Sequence, residues 1–226
     1  MNVQFGEALQ QMSWTPILGV AAITHINPAA LQEVLAGFQH PLKSLTEEAL
    51  APISRRMQAF ESFFAMHGFH SPLTRQFEQT RKKGLPAGNA IVGALLLAEM
   101  SNGLLMGAQN LDSVKGDIIY DLANDGESFR GMRGEIKCRT GELVLRDSEG
   151  IIASLLQGPD FRTRLLNETR NVIFFVFSVP GIDAGEVRHA LDGLQRIFVS
   201  AANETKCQIY CAAEAAERTA TVAAVE

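Results

Sequence analysis

Cysteine is scarce in this 226-residue chain, and the three present, Cys138, Cys207 and Cys211, cannot form an even framework. A small fold stapled by disulfides is excluded, and a reducing setting is expected. Aromatics other than phenylalanine are nearly missing: one Trp and two Tyr stand against thirteen Phe, which assigns the aromatic rings mainly to packing. There is no excess of positive charge. Twenty Lys and Arg face 25 Asp and Glu, for a net charge of −5. A protein that grips nucleic acid by broad counterion release carries the opposite balance, so any RNA contact has to be local. Long hydrophobic runs are absent as well. The longest, residues 90–98, stops at Glu99 and falls far short of the ~20 residues that span a bilayer. No basic n-region or long apolar stretch opens the chain, so no signal peptide and no membrane partner are expected, and the cytoplasm is the expected location.

The common motifs of chemistry are missing too. There is no Gly-x-Ser-x-Gly elbow, no P-loop and no His-Glu-x-x-His. His67 and His70 stand at i, i+3 but flank Gly68, with no carboxylate or Cys at ligand spacing. Cys207 and Cys211 have no second pair, and read as small buried hydrophobes. No metal and no cofactor are expected.

What is present suits one domain. Hydrophobic residues make up 46% and charged residues 20%, ordinary for a globular chain long enough to bury a core without staples. Residues 16–26 read as a buried strand, after which Asn27 and Pro28 start a helix running to about Phe38, where His40-Pro41 breaks it. Ser44 to Glu47 has capping-box spacing and opens a long amphipathic helix, kinked at Pro52 and ended by Gly68. A further helix starts at Ser71-Pro72 and stops at Lys82-Lys83-Gly84. Residues 87–102 are apolar nearly all round, the mark of an interior helix. A strand is expected at 117–122, then successive short strands between Gly-Glu, Thr-Gly and Asp-Ser-Glu-Gly turns. Residues 171–178 are an almost continuous apolar strand, buried on both faces. Asp183 opens a closing helix to about Ala202, and residues 206–211 read as a last strand. The expected class is α+β in a single domain. Helices fill the first half, a mostly antiparallel or mixed sheet covers about 117–178, and a C-terminal helix closes it. The domain is expected over 1–212, with 1–63 an extension within it and 213–226 an Ala-rich flexible tail.

The best candidate site lies after the strand ending near Leu155. Gly158-Pro159-Asp160 forces a turn there, and Arg162, Thr163 and Arg164 follow. A loop leaving a buried strand can hold donors at a pocket mouth. The segment 130–170 is near neutral to slightly basic, unlike the rest, which permits phosphate contact.

Several short motifs, in shared order over residues 64–199, carry a family resemblance. They are Gly68 to Pro72 before a helix, Leu85-Pro86 with Asn89 and Val92, and Gly107 to Asp112 as a turn. Ala123 to Glu127, Gly141-Glu142 with Asp147, and Arg162-Thr163 through Thr169 complete the series. Together they resemble the stand-alone relatives of the B3/B4 domain of the phenylalanyl-tRNA synthetase beta subunit. In the synthetase that region hydrolyses the ester of wrongly charged tRNA. The resemblance implies an α+β domain with a pocket for an aminoacyl-adenosine-like group, and tRNA or aminoacyl-tRNA as partner. It implies Glu127 and Asp160 as catalytic groups that orient water or the amino group. Asn89, Asp147, Thr163, Glu168 and Thr169 would bind substrate, and Arg130, Arg133, Arg162 and Arg164 would meet phosphate. Gly93, Leu96, Asn110, Gly158 and Leu166 stand where the family pattern has polar or charged groups. Ester hydrolysis in trans is therefore one expectation. A non-catalytic module for an amino acid or related metabolite is the alternative. A third is an interaction protein whose N-terminal region forms an oligomer interface. The oligomeric state is left open.

Overall fold

The computed structural model describes residues 2–43 and 46–212, the side chains of 39–43 excepted. The expected tail, 213–226, and Ser44 of the expected capping box lie outside the described residues. In chain order the elements are β1 (Val3–Phe5), α1 (Glu7–Gln10), β2 (Ile17–Thr24), α2 (Pro28–Lys43), α3 (Glu47–Met66), α4 (Leu73–Lys83) and α5 (Ala90–Asn102). There follow β3 (Met106–Asn110), β4 (Ile118–Leu122), β5 (Ser128–Gly131), β6 (Gly134–Lys137), β7 (Leu143–Asp147) and β8 (Gly150–Ser154). β9 (Gly158–Pro159), β10 (Val172–Phe177), α6 (Ala184–Phe198) and β11 (Glu204–Cys211) complete the order.

The class is α+β. All six residues of β10 are buried, as its unbroken apolar sequence demands. It sits inside an antiparallel sheet of order β11-β2-β10-β3. A five-stranded sheet of order β1-β4-β7-β8-β9 is antiparallel except where β1 runs parallel to β4, and β5-β6 is a separate hairpin. One apolar core joins the two larger sheets. Across it Tyr120 of β4 meets Phe177 of β10, ring centroids 6.1 Å apart. Gln109 of β3 also donates to the Ile152 carbonyl of β8 at 3.0 Å.

Helix α5 is central because it can be buried on almost every side. Ile91, Ala94, Leu97, Ala98 and Met100 are all buried, and α2, α3, α4, α6 and β3 pack around it. Its start is fixed by Asn89, whose Oδ1 accepts from the Ile91 and Val92 N–H groups. Its end is fixed by Gly103 at φ 67°. A Cβ there would stand 2.5 Å from the Ile53 carbonyl oxygen, so only glycine lets α5 finish against α3. Helix α6 opens on Asp183 with a reciprocal capping box to Glu186. It lies on β2 at Gly19, where an added Cβ would be 2.7 Å from Val187 Cγ1.

Some local expectations are corrected. Helix α2 continues through Pro41 to Lys43. A proline in a last turn removes a single intrahelical hydrogen bond, which the helix can forgo. Thr46 rather than Ser44 caps α3, accepting from the Ala49 N–H at 3.3 Å. Cys207 and Cys211 are part-exposed, because β11 is an edge strand. Residues 107–110, read as a turn, belong to β3.

Candidate functional site

A cavity of about 420 Å³ opens between the helices and the sheets. That is within the size range of small-molecule sites, roughly 300–1,000 Å³. Leu95 and Glu99 of α5 and Gln76 of α4 form one wall. Met106, Gly107 and Gln109 of β3 and Phe177 of β10 form the floor, and the chain from Ala153 to Pro159 closes the far side. Phe64, His70 and Pro72 stand around the α3–α4 connection. Gln109 Nε2, donating to the Ile152 carbonyl, ties β3 to β8 at the cavity. Gly107 also adds no side chain to the floor: a Cβ there would come within 3.4 Å of the Phe177 ring.

Most walls are apolar, and most of the polar side chains are engaged. Gln109 Oε1 accepts from Thr163 Oγ1 at 2.8 Å. Gln157 Nε2 donates to Glu142 Oε2 at 2.9 Å, and Ser154 Oγ, which also donates to Glu142, accepts from the Leu156 N–H at 3.1 Å. Two groups differ. Glu99 is 4% exposed, and its one side-chain hydrogen bond among the described residues is Oε1 accepting from the Met106 N–H at 3.0 Å. Burial pushes its carboxyl up to about 8, against the opposing pull of that N–H. Gln76 Oε1 is buried with no hydrogen-bond partner. Buried polar atoms without partners are rare; Tyr120 Oη and Arg146 Nε, outside the cavity lining, are the others among the described residues. The sequence signal for Glu99 was a single acid inside an otherwise apolar helix. Nothing in the sequence distinguished Gln76 from the other polar residues of α4.

The catalytic, substrate-binding and phosphate-binding residues expected from sequence fall outside this lining, whereas His70, Gly158 and Pro159 belong to it. Asp147, Asp160, Arg162 and Thr163 come together beside the Gly158–Pro159 rim. Arg162 Nη2 lies 2.8 Å from Asp147 Oδ1. Asp147 Oδ2 accepts from the Lys115 N–H at 2.8 Å, and Asp160 accepts from the Arg162 and Thr163 N–H groups at 3.0 Å each. Asp160 Oδ1 is a second acceptor within reach of the single Thr163 Oγ1 proton, which it shares with Gln109 Oε1. Glu127 is apart from this group, paired with Arg146 at 2.6 Å. The Arg146 hydrogen bond holds its carboxyl below the usual range. Asn89 and Thr169 meet at a second cleft of about 250 Å³ with Gln32 and Asn167. Thr169 Oγ1 accepts there from the Leu166 N–H at 2.9 Å, and Glu168 is exposed nearby. Of the arginines, Arg130 and Arg164 both stack on the Phe161 ring, their Cζ atoms 4.2 and 3.7 Å from its centroid. Arg133 is exposed on the β5–β6 turn.

No family model matches the chain, and no curated protein matches it. Among solved structures, it is similar to an N-terminal fragment of the phenylalanyl-tRNA synthetase beta-subunit from Pyrococcus horikoshii. The match has 14% identity and a TM-score of 0.47, covering 91% of this chain and 50% of the other. The chain thus spans about half the length of that fragment. Among the described residues no helix is long and apolar enough to cross a membrane.

Proposed function

We propose that this chain is a binding module whose site is the 420 Å³ cavity, and that its ligand is an apolar amino-acid-like group. The observation that carries this reading is the pairing of apolar walls with two under-used polar groups, Glu99 and Gln76 Oε1. Apolar walls supply affinity by burial, and a few fixed polar groups supply orientation. A thermal-shift panel of aromatic and aliphatic amino acids, their esters and their amines tests it. Ligand at a hundred times its Kd stabilises the fold by about 2.7 kcal/mol. A flat panel on a folded protein would overturn the proposal.

A second reading has the same group delivered on tRNA. Its support is the Phe161 platform with Arg130 and Arg164, two residues beyond the cavity rim at Pro159. Aromatic and guanidinium planes accept stacked bases of single-stranded RNA. The hydrolytic form of this reading gives water activation to Asp160 or Glu127, and leaves Asn89, Asp147, Glu168 and Thr169 as substrate contacts. Deacylation of tyrosine-charged phenylalanine tRNA, compared with the correctly charged species and with Asp160→Ala and Glu127→Ala, tests it. An unchanged half-life of both species would remove hydrolysis and leave the binding module.

A further inference from the structure

The cavity has a chemical asymmetry. Its lining includes one buried carboxyl, Glu99, and no Lys or Arg. Among the described residues, its buried side-chain acceptors without a partner are one oxygen of Glu99 and Gln76 Oε1, and the part-exposed Gln157 adds an unpaired Oε1. An ammonium group offers donors and no acceptor, so it complements that pair. A carboxylate would be taken from water into apolar walls with no cation to meet it, which is costly.

We propose that the cavity selects a primary ammonium group on an apolar body, held between Glu99 and Gln76, and rejects a ligand carrying a free carboxylate. This rests on the cavity being the ligand site, as proposed above. The ligand class is therefore an aryl or alkyl amine, rather than a free amino acid.

Binding should move a proton. Burial keeps Glu99 mostly protonated at neutral pH, and an ammonium beside it favours the ionised form. The other charged groups facing this region are few. His70 lies with its Nδ1 2.9 Å from Glu61 Oε1, and is largely exposed. Arg56 of α3 donates to the Asn102 carbonyl at the end of α5, and Glu142 lies behind Ser154 and Gln157. From α6, His189 and Arg196 line a separate groove with Asn102. β3 has no titratable residue, and those of α4 are off the cavity lining. Glu99 is thus the group whose proton is released.

Calorimetric titration at pH 7 in two buffers of different ionisation enthalpy tests this, with 2-phenylethylamine, 2-phenylethanol and L-phenylalanine as probes. The amine should bind tightest and release a large part of one proton per site. The alcohol should bind more weakly with no proton change, and L-phenylalanine at least tenfold more weakly than the amine. Glu99→Gln, checked for folding by its melting transition, should abolish proton release and weaken the amine at least tenfold. Gln76→Met should weaken the amine while proton release persists, which keeps the test decisive if the first variant fails to fold. Amine binding without proton release, or an amine no tighter than the alcohol, would overturn the ammonium assignment and leave the cavity reading standing. L-phenylalanine equal to the amine would overturn the rejection of carboxylate. No binding of any probe by folded protein would overturn both readings.

Discussion

Glu99→Gln should change how stability depends on pH. In the folded chain the carboxyl is buried in the cavity wall, and is pushed from 4.5 up to about 8. The folded state therefore holds a proton that the unfolded chain gives up between those two values. Native protein binds more protons in that window, so rising pH favours unfolding. The stabilising state is the protonated one, complete below pH 4.5 and lost as pH rises through 8. The slope approaches somewhat over 1 kcal/mol per pH unit, or roughly 3 to 4 kcal/mol between pH 5 and pH 8. Glutamine keeps an oxygen for the Met106 N–H and has no proton to lose. Urea denaturation of both proteins at pH 5, 6, 7 and 8 reads the effect as a difference, so groups common to both cancel. The variant should gain on the wild type by that amount across the series. A difference that stays constant from pH 5 to pH 8 would refute the burial argument for Glu99.

Other perturbations test the framework around the site. Gly103→Ala should destabilise the fold by at least ~1–2 kcal/mol in chemical denaturation, since it places a Cβ at φ 67° and 2.5 Å from the Ile53 carbonyl. Thr163→Val should cost about 1–3 kcal/mol on the same assay, because Gln109 Oε1 loses its donor inside the core. Glu127→Ala should cost about 1–2 kcal/mol at pH 7 by removing the partner of the part-buried Arg146. The folded pKa of Glu127 is depressed, so its contribution should be present above the ordinary carboxylate range and fade as pH falls through the lowered value.

The parts of the fold that were legible in sequence are those specified locally. β10 is apolar without a break, Asp183 is a cap followed by helical sequence, and α5 is apolar nearly all round. Each announces its environment within a few residues. Helix α2 passing through Pro41 was not legible, because a proline reads as a breaker in sequence, whereas in a last turn it costs the helix little. β1 and α1 are three and four residues long, too short for any period to show. The cavity was hidden for a different reason. Gln76, Glu99, Gly107 and Gln157 come from a helix, another helix, a strand and a loop, and share no local pattern. The turn at Gly158–Pro159 reads in sequence as the start of a loop at a pocket mouth, yet the polar residues after it are occupied with one another, as Arg162 is with Asp147. The acid that faces the cavity was visible only as the residue that ended an apolar run.

The most direct measurement of the central claim is a backbone-amide NMR titration of the whole chain with 2-phenylethylamine and with phenylalanine methyl ester. The account predicts saturable shifts concentrated at Gln76, Glu99, Leu105 to Gly107 and Leu155 to Pro159, around the cavity. Saturable shifts confined to other surfaces, or none at all with the protein folded, would contradict it.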